Sequence, residues 1–203
     1  MPTPPSTDVR RHPERTGDAA LVRAVLDEAL IVHVGTVRDG WPVVLPMAHG
    51  RDGDTLYLHG SAAAGLFRDV RGGSRVCVTA TIVDALVLTR SAFNHSMNYR
   101  CAVVYGDAAP AGDLDAAVRA VVDHNLPGRH EEVRKPTEAE LRETGIWQLD
   151  LTTASAKVRV GGPIEDEADL GLPAWAGVVP VTTVLGEPVP AEGVTAAIPH
   201  LRD

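Results

Sequence analysis

The spacing of hydrophobic and polar positions changes several times along the chain, and each change marks an element. After Gly17 and Asp18, the apolar residues Leu21, Val22, Val25, Leu26, Ala29 and Leu30 recur at helical offsets. This predicts an amphipathic helix capped by Asp18 and ending near Leu30. From Ile31 to Val37 the run IVHVGTV is rich in β-branched residues and reads as a strand. Asp39-Gly40 is a hairpin turn, and WPVVLPMAH continues as a second strand. The residues Arg51 to Asp54 supply the next turn and Thr55 to His59 a third strand, so this part of the chain predicts an antiparallel meander.

Between Gly60 and Arg71, Leu66, Phe67 and Val70 return to helical offsets before Gly72-Gly73, predicting a short helix that starts where the third strand stops. Arg75 to Arg90 supplies one long strand or two, SAFNHSM is a polar loop, and Asn98 to Asp107 is a further strand. Leu114, Ala117, Val118, Val121, Val122 and Leu126 mark a second clear helix, and Thr137 with Glu140 behind Pro136 is a capping box for a third. Ile146 to Leu151 and Ala156 to Val160 read as closing strands. Six or more strands, mostly antiparallel and with few crossover helices, predict a mainly β fold, a small barrel with peripheral helices. Residues 1–16 read as an N-terminal arm and 17–160 as the barrel domain. Residues 161–203 form a proline-rich, acidic extension with one apolar island from Trp175 to Leu185, expected to join the same domain, to wrap a dimer, or to trail as a loose tail after Leu185.

Composition narrows the classes. The 203 residues are 44% hydrophobic and 23% charged, which fits one ordinary globular domain. The net charge of −8 has the wrong sign for nucleic acid or an anionic membrane surface. No apolar run reaches the roughly 18 residues of a spanning helix, and Met1 to Arg15 carries prolines and charges where a secretory core would be. A cytoplasmic protein with neither nucleic-acid nor membrane partners is expected. Cys77 and Cys101 lie in Val- and Ala-rich runs and read as reduced core thiols.

Walker A, G-x-G-x-x-G, G-x-S-x-G, H-E-x-x-H and EF-hand motifs are all absent. His33, His49, His59 and His95 fall on or beside strands that a barrel would bring together, but nothing in their spacing aligns three of them as metal ligands, so no metal site is expected. A haem needs only one axial ligand. His59-Gly60-Ser61 sits where a strand gives way to a helix, a place that either receives an anion such as phosphate or is an ordinary N-cap at Ser61. Ser96 to Arg100 sets an arginine and polar groups at the mouth of a strand, either a ligand contact or a turn followed by a solvated arginine.

Taken in order, HVGTV, the DG turn, PVVLPMAHG, LYLHGS, VCVTATIVDALVL and HSMNYRCAVVYG resemble the pyridoxamine 5′-phosphate oxidase-like group. More narrowly, the chain is similar to the flavin-nucleotide-binding branch that includes nitroimidazole-resistance-type proteins. The similarity runs from about His12 to Val160 and takes in NLPGRHEEVRKPTEAEL and ASAKVRVGGPIED. It implies a Greek-key-like antiparallel split β-barrel, a homodimer, and FMN at the subunit interface, serving an oxidoreductase that acts on a small organic substrate. By the same resemblance, Leu45, Pro46, Met47 and Ala48 lie along the isoalloxazine ring. His59, Gly60 and Ser61, with the start of the following helix, receive the phosphate, Gly65 and Arg68 belong to the same cofactor site, and Asn98, Tyr99 and Arg100 flank the other side. His59 is the one candidate for a catalytic role. The chain departs from such relatives at Ala62, Ala63, Ala64 and Gly65, where a basic residue is expected; Arg68 or Arg100 would have to substitute. It also lacks the Arg-rich C-terminal motif of true pyridoxamine phosphate oxidases. The alternatives are a haem-binding or haem-degrading barrel using His49, His59 or His95, a deazaflavin in place of FMN, and a cofactor-free binding or sensor module.

Overall fold

The computed structural model describes residue 9 and residues 11–61, 65–71 and 75–196. Ala62, Ala63, Ala64 and the Gly72-Gly73 pair therefore lie outside the described residues. Among the described residues there are ten strands: β1 (Thr16–Gly17), β2 (Val32–Arg38), β3 (Trp41–Asp52), β4 (Thr55–Ser61), β5 (Val76–Leu88), β6 (Ser96–Gly106), β7 (Ala109–Pro110), β8 (Thr144–Asp150), β9 (Ala154–Arg159) and β10 (Gly177–Pro180). The α-helices are α1 (Ala19–Glu28), α2 (Gly65–Arg71), α3 (Leu114–Asn125), α4 (Arg129–Glu132) and α5 (Glu138–Glu143). Every ladder is antiparallel, and the strands follow the order β1-β9-β6-β5-β2-β3-β4-β8-β7, with β10 added to β5. The expected mainly β architecture with peripheral helices is what forms.

Local chemistry accounts for the element ends. The Asp18 carboxylate accepts from the Leu21 amide at 2.9 Å and caps α1, and Asp113 caps α3 through the Ala116 amide at 3.0 Å. The Thr137 capping box starts α5, and Arg134 together with that box holds the Glu140 carboxyl down at about 2. In the β2–β3 hairpin Asp39 and Gly40 both take positive φ, 50° and 79°, the pair of left-handed residues that a tight turn between twisted strands requires.

The core lies between the sheet and α1. Val22, Val25 and Leu26 of the helix are buried with Val32, Val34, Leu56, Leu58, Val76, Val78, Ala102 and Val104. α2 adds Leu66, Phe67 and Val70, and Phe67 stacks on Trp147 with ring centroids 5.4 Å apart. α3 packs on β3 so closely that a Cβ on Gly50 would lie 2.1 Å from the Ala120 carbonyl oxygen. The last-turn carbonyls of α1 are taken by buried histidines: His49 Nε2 donates to Leu26 O at 2.8 Å and His124 Nε2 to Ala29 O at 2.7 Å, the two rings 4.1 Å apart.

Several expectations need correction. The third strand does not stop at His59 but runs through Ser61, because Gly60 and Ser61 pair with Gly145 and Thr144 of β8. Ser61 is therefore a strand residue, and α2 is seen from Gly65. The segment from Val76 to Leu88 is one strand, broken only by a bulge between Val83 and Ala85. Cys77 and Cys101 are free but only half-buried on β5 and β6, not in the core, and partial burial pushes both thiols up.

The apolar island of the C-terminal extension becomes β10, which pairs with residues 85–88 of β5. Two further contacts fasten this segment: Asn98 Nδ2 donates to Gly161 O at 3.1 Å, and the Glu165 carboxylate takes both the amide (2.8 Å) and the guanidinium (2.6 Å) of Arg90.

Candidate functional site

β3 changes partner midway along its length. Residues 41–47 pair with β2, whereas 48–52 pair with β4. Among the described residues, the second edge of 41–47 has no strand partner, and its backbone groups are open to a ligand or another chain. Leu45, Pro46, Met47 and Ala48 straddle this switch. Leu45 and Pro46 are exposed, Met47 is buried, and Ala48 pairs with His59 at the point where β4 joins. A planar heteroaromatic ring with hydrogen-bonding edges suits such a backbone edge.

His59, Gly60 and Ser61 follow at the end of β4. The His59 imidazole reaches the surface, yet the protein around it lowers its pKa below the ordinary 6.5, which leaves it neutral at pH 7. Gly60 is required by packing, since a Cβ there would sit 2.8 Å from Phe67 Cε2. At Gly65 a Cβ would lie 2.4 Å from Arg38 Nη2. Arg38, the last residue of β2, thus lays its guanidinium across the start of α2, where Asp69 accepts from its Nε at 2.8 Å and pairs with Nη2 at 2.7 Å. Sequence reasoning missed Arg38. Its only signal is its place at a strand end beside the DG turn, 27 positions from Gly65. Its guanidinium stands beside the first residue of α2 and is paired there with Asp69. Arg68 is exposed on α2 and makes no ion pair among the described residues.

Asn98 and Arg100 are not gathered into this place as free groups. The Arg100 guanidinium is held by Glu28 at the end of α1 (2.5 and 2.8 Å) and by Asp84 in the β5 bulge (2.7 Å), and these carboxylates drive its pKa further up. It is a clamp that ties the end of α1 to the β5 bulge. Asn98 is buried, donating to Gly161 O and accepting from Arg159 Nη1. Tyr99 has Lys157 Nζ 5.8 Å from its ring centroid.

The histidines divide cleanly. His49 is fully buried with its Nε2 committed to Leu26, which withdraws it from the set of haem ligands. His33, His59 and His95 are exposed. Among the described residues no group of three His, Cys, Asp or Glu side chains is placed to hold a metal ion. Two clefts, one of about 530 Å³ beside Asp27, Arg51, Asp115 and Asp123 and one of about 450 Å³ beside Thr16, Arg23 and Asp54, include none of the expected cofactor-binding residues. The expected site is open surface around β3 and β4.

Three kinds of comparison bear on this geometry. The family model described as pyridoxamine 5′-phosphate oxidase matches residues 18–158. No curated protein matches the chain. Among solved structures, the flavocytochrome Anf3 from Azotobacter vinelandii is 35% identical, with a TM-score of 0.85 over 95% of this chain and 91% of that one. The FAD and haem binding protein from Mycobacterium smegmatis is 34% identical, with a TM-score of 0.83 over 91% of this chain and 93% of that one. A protein from Bacteroides thetaiotaomicron assigned to 5-nitroimidazole antibiotic resistance is 22% identical and shares the fold, with a TM-score of 0.59 over 70% of this chain and 84% of that one.

Proposed function

The chain belongs to the pyridoxamine 5′-phosphate oxidase family, and from that premise we propose that it is a redox protein carrying a flavin, of the FAD kind, together with a haem, and acting on a small organic substrate. The observation that carries this reading is where the similarity ends. The family model stops at residue 158, whereas the match to the flavocytochrome covers 95% of the chain, a share that cannot be reached without the C-terminal extension. Both near-full-length relatives are named for a flavin and a haem. The sequence resemblance implied FMN; the name of the Mycobacterium smegmatis relative favours FAD.

The residues present fit a flavin. The open edge of 41–47, with Leu45, Pro46, Met47 and Ala48, would hold the ring system. His59, Gly60 and Ser61 would receive the phosphate end, with Arg38 as the cation. A bound flavin supplies two-electron exchange with an organic substrate and a haem one-electron exchange; the protein supplies orientation and charge. Gly60 and Gly65 keep the approach free of side chains, and a neutral His59 can donate or accept a proton at one ring nitrogen.

The chain purified without added cofactor is expected to show flavin bands and a Soret band, with FAD identified by chromatography after release. FMN in place of FAD would correct the flavin alone. Failure to bind any flavin or haemin saturably would overturn the reading and leave a cofactor-free binding module. Arg38→Gln is expected to weaken flavin binding roughly tenfold by removing one charge-assisted contact, measured by quenching of flavin fluorescence. Unchanged affinity would place the phosphate elsewhere.

A homodimer is part of the same reading. Trp41, Val44 and Val37 stand 75%, 61% and 59% exposed around the open half of β3, more apolar surface than an isolated strand pair tolerates well. Light scattering is expected to give twice 21.5 kDa, and Val44→Glu is expected to shift the protein toward monomer with weaker flavin binding. A monomeric wild-type chain would overturn the shared site. A cytoplasmic setting belongs to this reading too; among the described residues no helix is long and apolar enough to cross a membrane.

A further inference from the structure

Three exposed apolar side chains form one cross-strand row over β6, β5 and β10. Leu86 pairs with Met97 on one side and with Val179 on the other, and the three are 42%, 45% and 40% exposed. Residues paired directly across neighbouring strands share a face, so this row is a continuous apolar strip. At its end lies the loop between β5 and β6, where Phe93 is 91% exposed and His95 immediately precedes β6.

The His95 ring is fixed by its surroundings. Thr89 Oγ1 donates to Ser91 O at 2.6 Å, and His95 Nδ1 lies 3.0 Å from the same oxygen. A carbonyl oxygen only accepts, so Nδ1 carries the proton and Nε2 keeps its lone pair. Nε2 has no partner among the described residues. An imidazole whose Nδ1–H is anchored on a backbone carbonyl is the arrangement that orients metal-binding histidines. Neither His33 nor His59, the other exposed strand histidines, has a side-chain hydrogen bond among the described residues. The loop is also tied to the C-terminal extension, through Glu165 to Arg90 and through β10 to β5. That extension is the part of the chain shared with the flavocytochrome and lying beyond the family model.

Resting on the flavin-and-haem reading, we infer that His95 Nε2 is an axial ligand of the haem iron and that the Leu86, Met97 and Val179 row is the apolar face on which the macrocycle lies. Only one protein ligand is needed for a haem, and the strip beside His95 offers the apolar contact that the ring requires.

The test uses the full chain and haemin, with wild type beside His95→Ala, His95→Cys and His33→Ala, each checked by its thermal unfolding curve. His95→Ala is expected to bind haemin roughly tenfold or more weakly and to shift the Soret band, with added imidazole restoring both. His95→Cys is expected to keep the haem with the ferrous carbon monoxide band of a thiolate ligand. The alanine variant at 33 is expected to match wild type in haemin affinity and Soret position. A folded His95→Ala protein with wild-type Soret position and affinity would overturn the inference while leaving the haem reading intact. A wild-type chain that binds flavin and takes up no haemin would overturn the haem reading, and this inference with it.

Discussion

Gly50→Ala is expected to lower stability by about 3 kcal/mol, at or beyond the upper end of ordinary overpacking. The obstacle is backbone: the added Cβ would sit 2.1 Å from the Ala120 carbonyl oxygen and 2.6 Å from the Val121 amide nitrogen, both within α3. No side-chain rotation relieves such a contact, so α3 must move off β3. In a chain of this size about 3 kcal/mol corresponds to a fall of roughly 6 to 12 °C in the unfolding midpoint, read by circular dichroism. The shift also disturbs His124, which reaches Ala29 O from α3. A midpoint within about 2 °C of wild type, less than 1 kcal/mol, would mean that the seat of α3 on β3 is far looser than the structure has it.

His49→Ala is the second large expected loss, about 2 to 4 kcal/mol from the cavity and from the Leu26 carbonyl left without its donor. His49 is fully buried, and its ring lies 4.1 Å from that of His124. Because the two rings touch and cap the same helix end, the double variant with His124→Ala is expected to lose less than the sum of the single losses. Urea midpoints of the three variants measure this directly. Strict additivity would show that the pair acts as two independent caps, and an unaffected His49→Ala protein would remove the histidine from the core altogether.

Much of the fold was legible because its signals are local. The helical offsets from Leu21 to Leu26, the β-branched run after Ile31, and the capping residues Asp18 and Thr137 each depend on atoms within a few positions, and the structure forms α1, β2 and α5 accordingly. The Trp175 to Leu185 island carried enough hydrophobicity to be noticed, and four of its residues became β10. The site was less legible. His59, Gly60 and Ser61 stand at one end of β4 next to the partner switch, but Asn98 and Arg100 face protein partners that no motif announces.

By itself the sequence determined an antiparallel, mainly β chain with a hairpin turn at Asp39-Gly40, capped helices, and a family resemblance running through the strands. Those features arise from backbone preference and side-chain hydrogen bonds over a handful of residues. Only the tertiary structure decided which groups are left for a ligand. Arg38 meets Asp69 across 31 positions, Arg100 meets Glu28 across 72, and His124 meets Ala29 across 95. The same is true of the change of partner along β3 between Met47 and Ala48, and of the addition of β10 to β5. The physical reason is common to all of these: a charge or a buried polar group takes whichever partner packing brings within about 3 Å, and which residues those are follows from the path of the whole sheet.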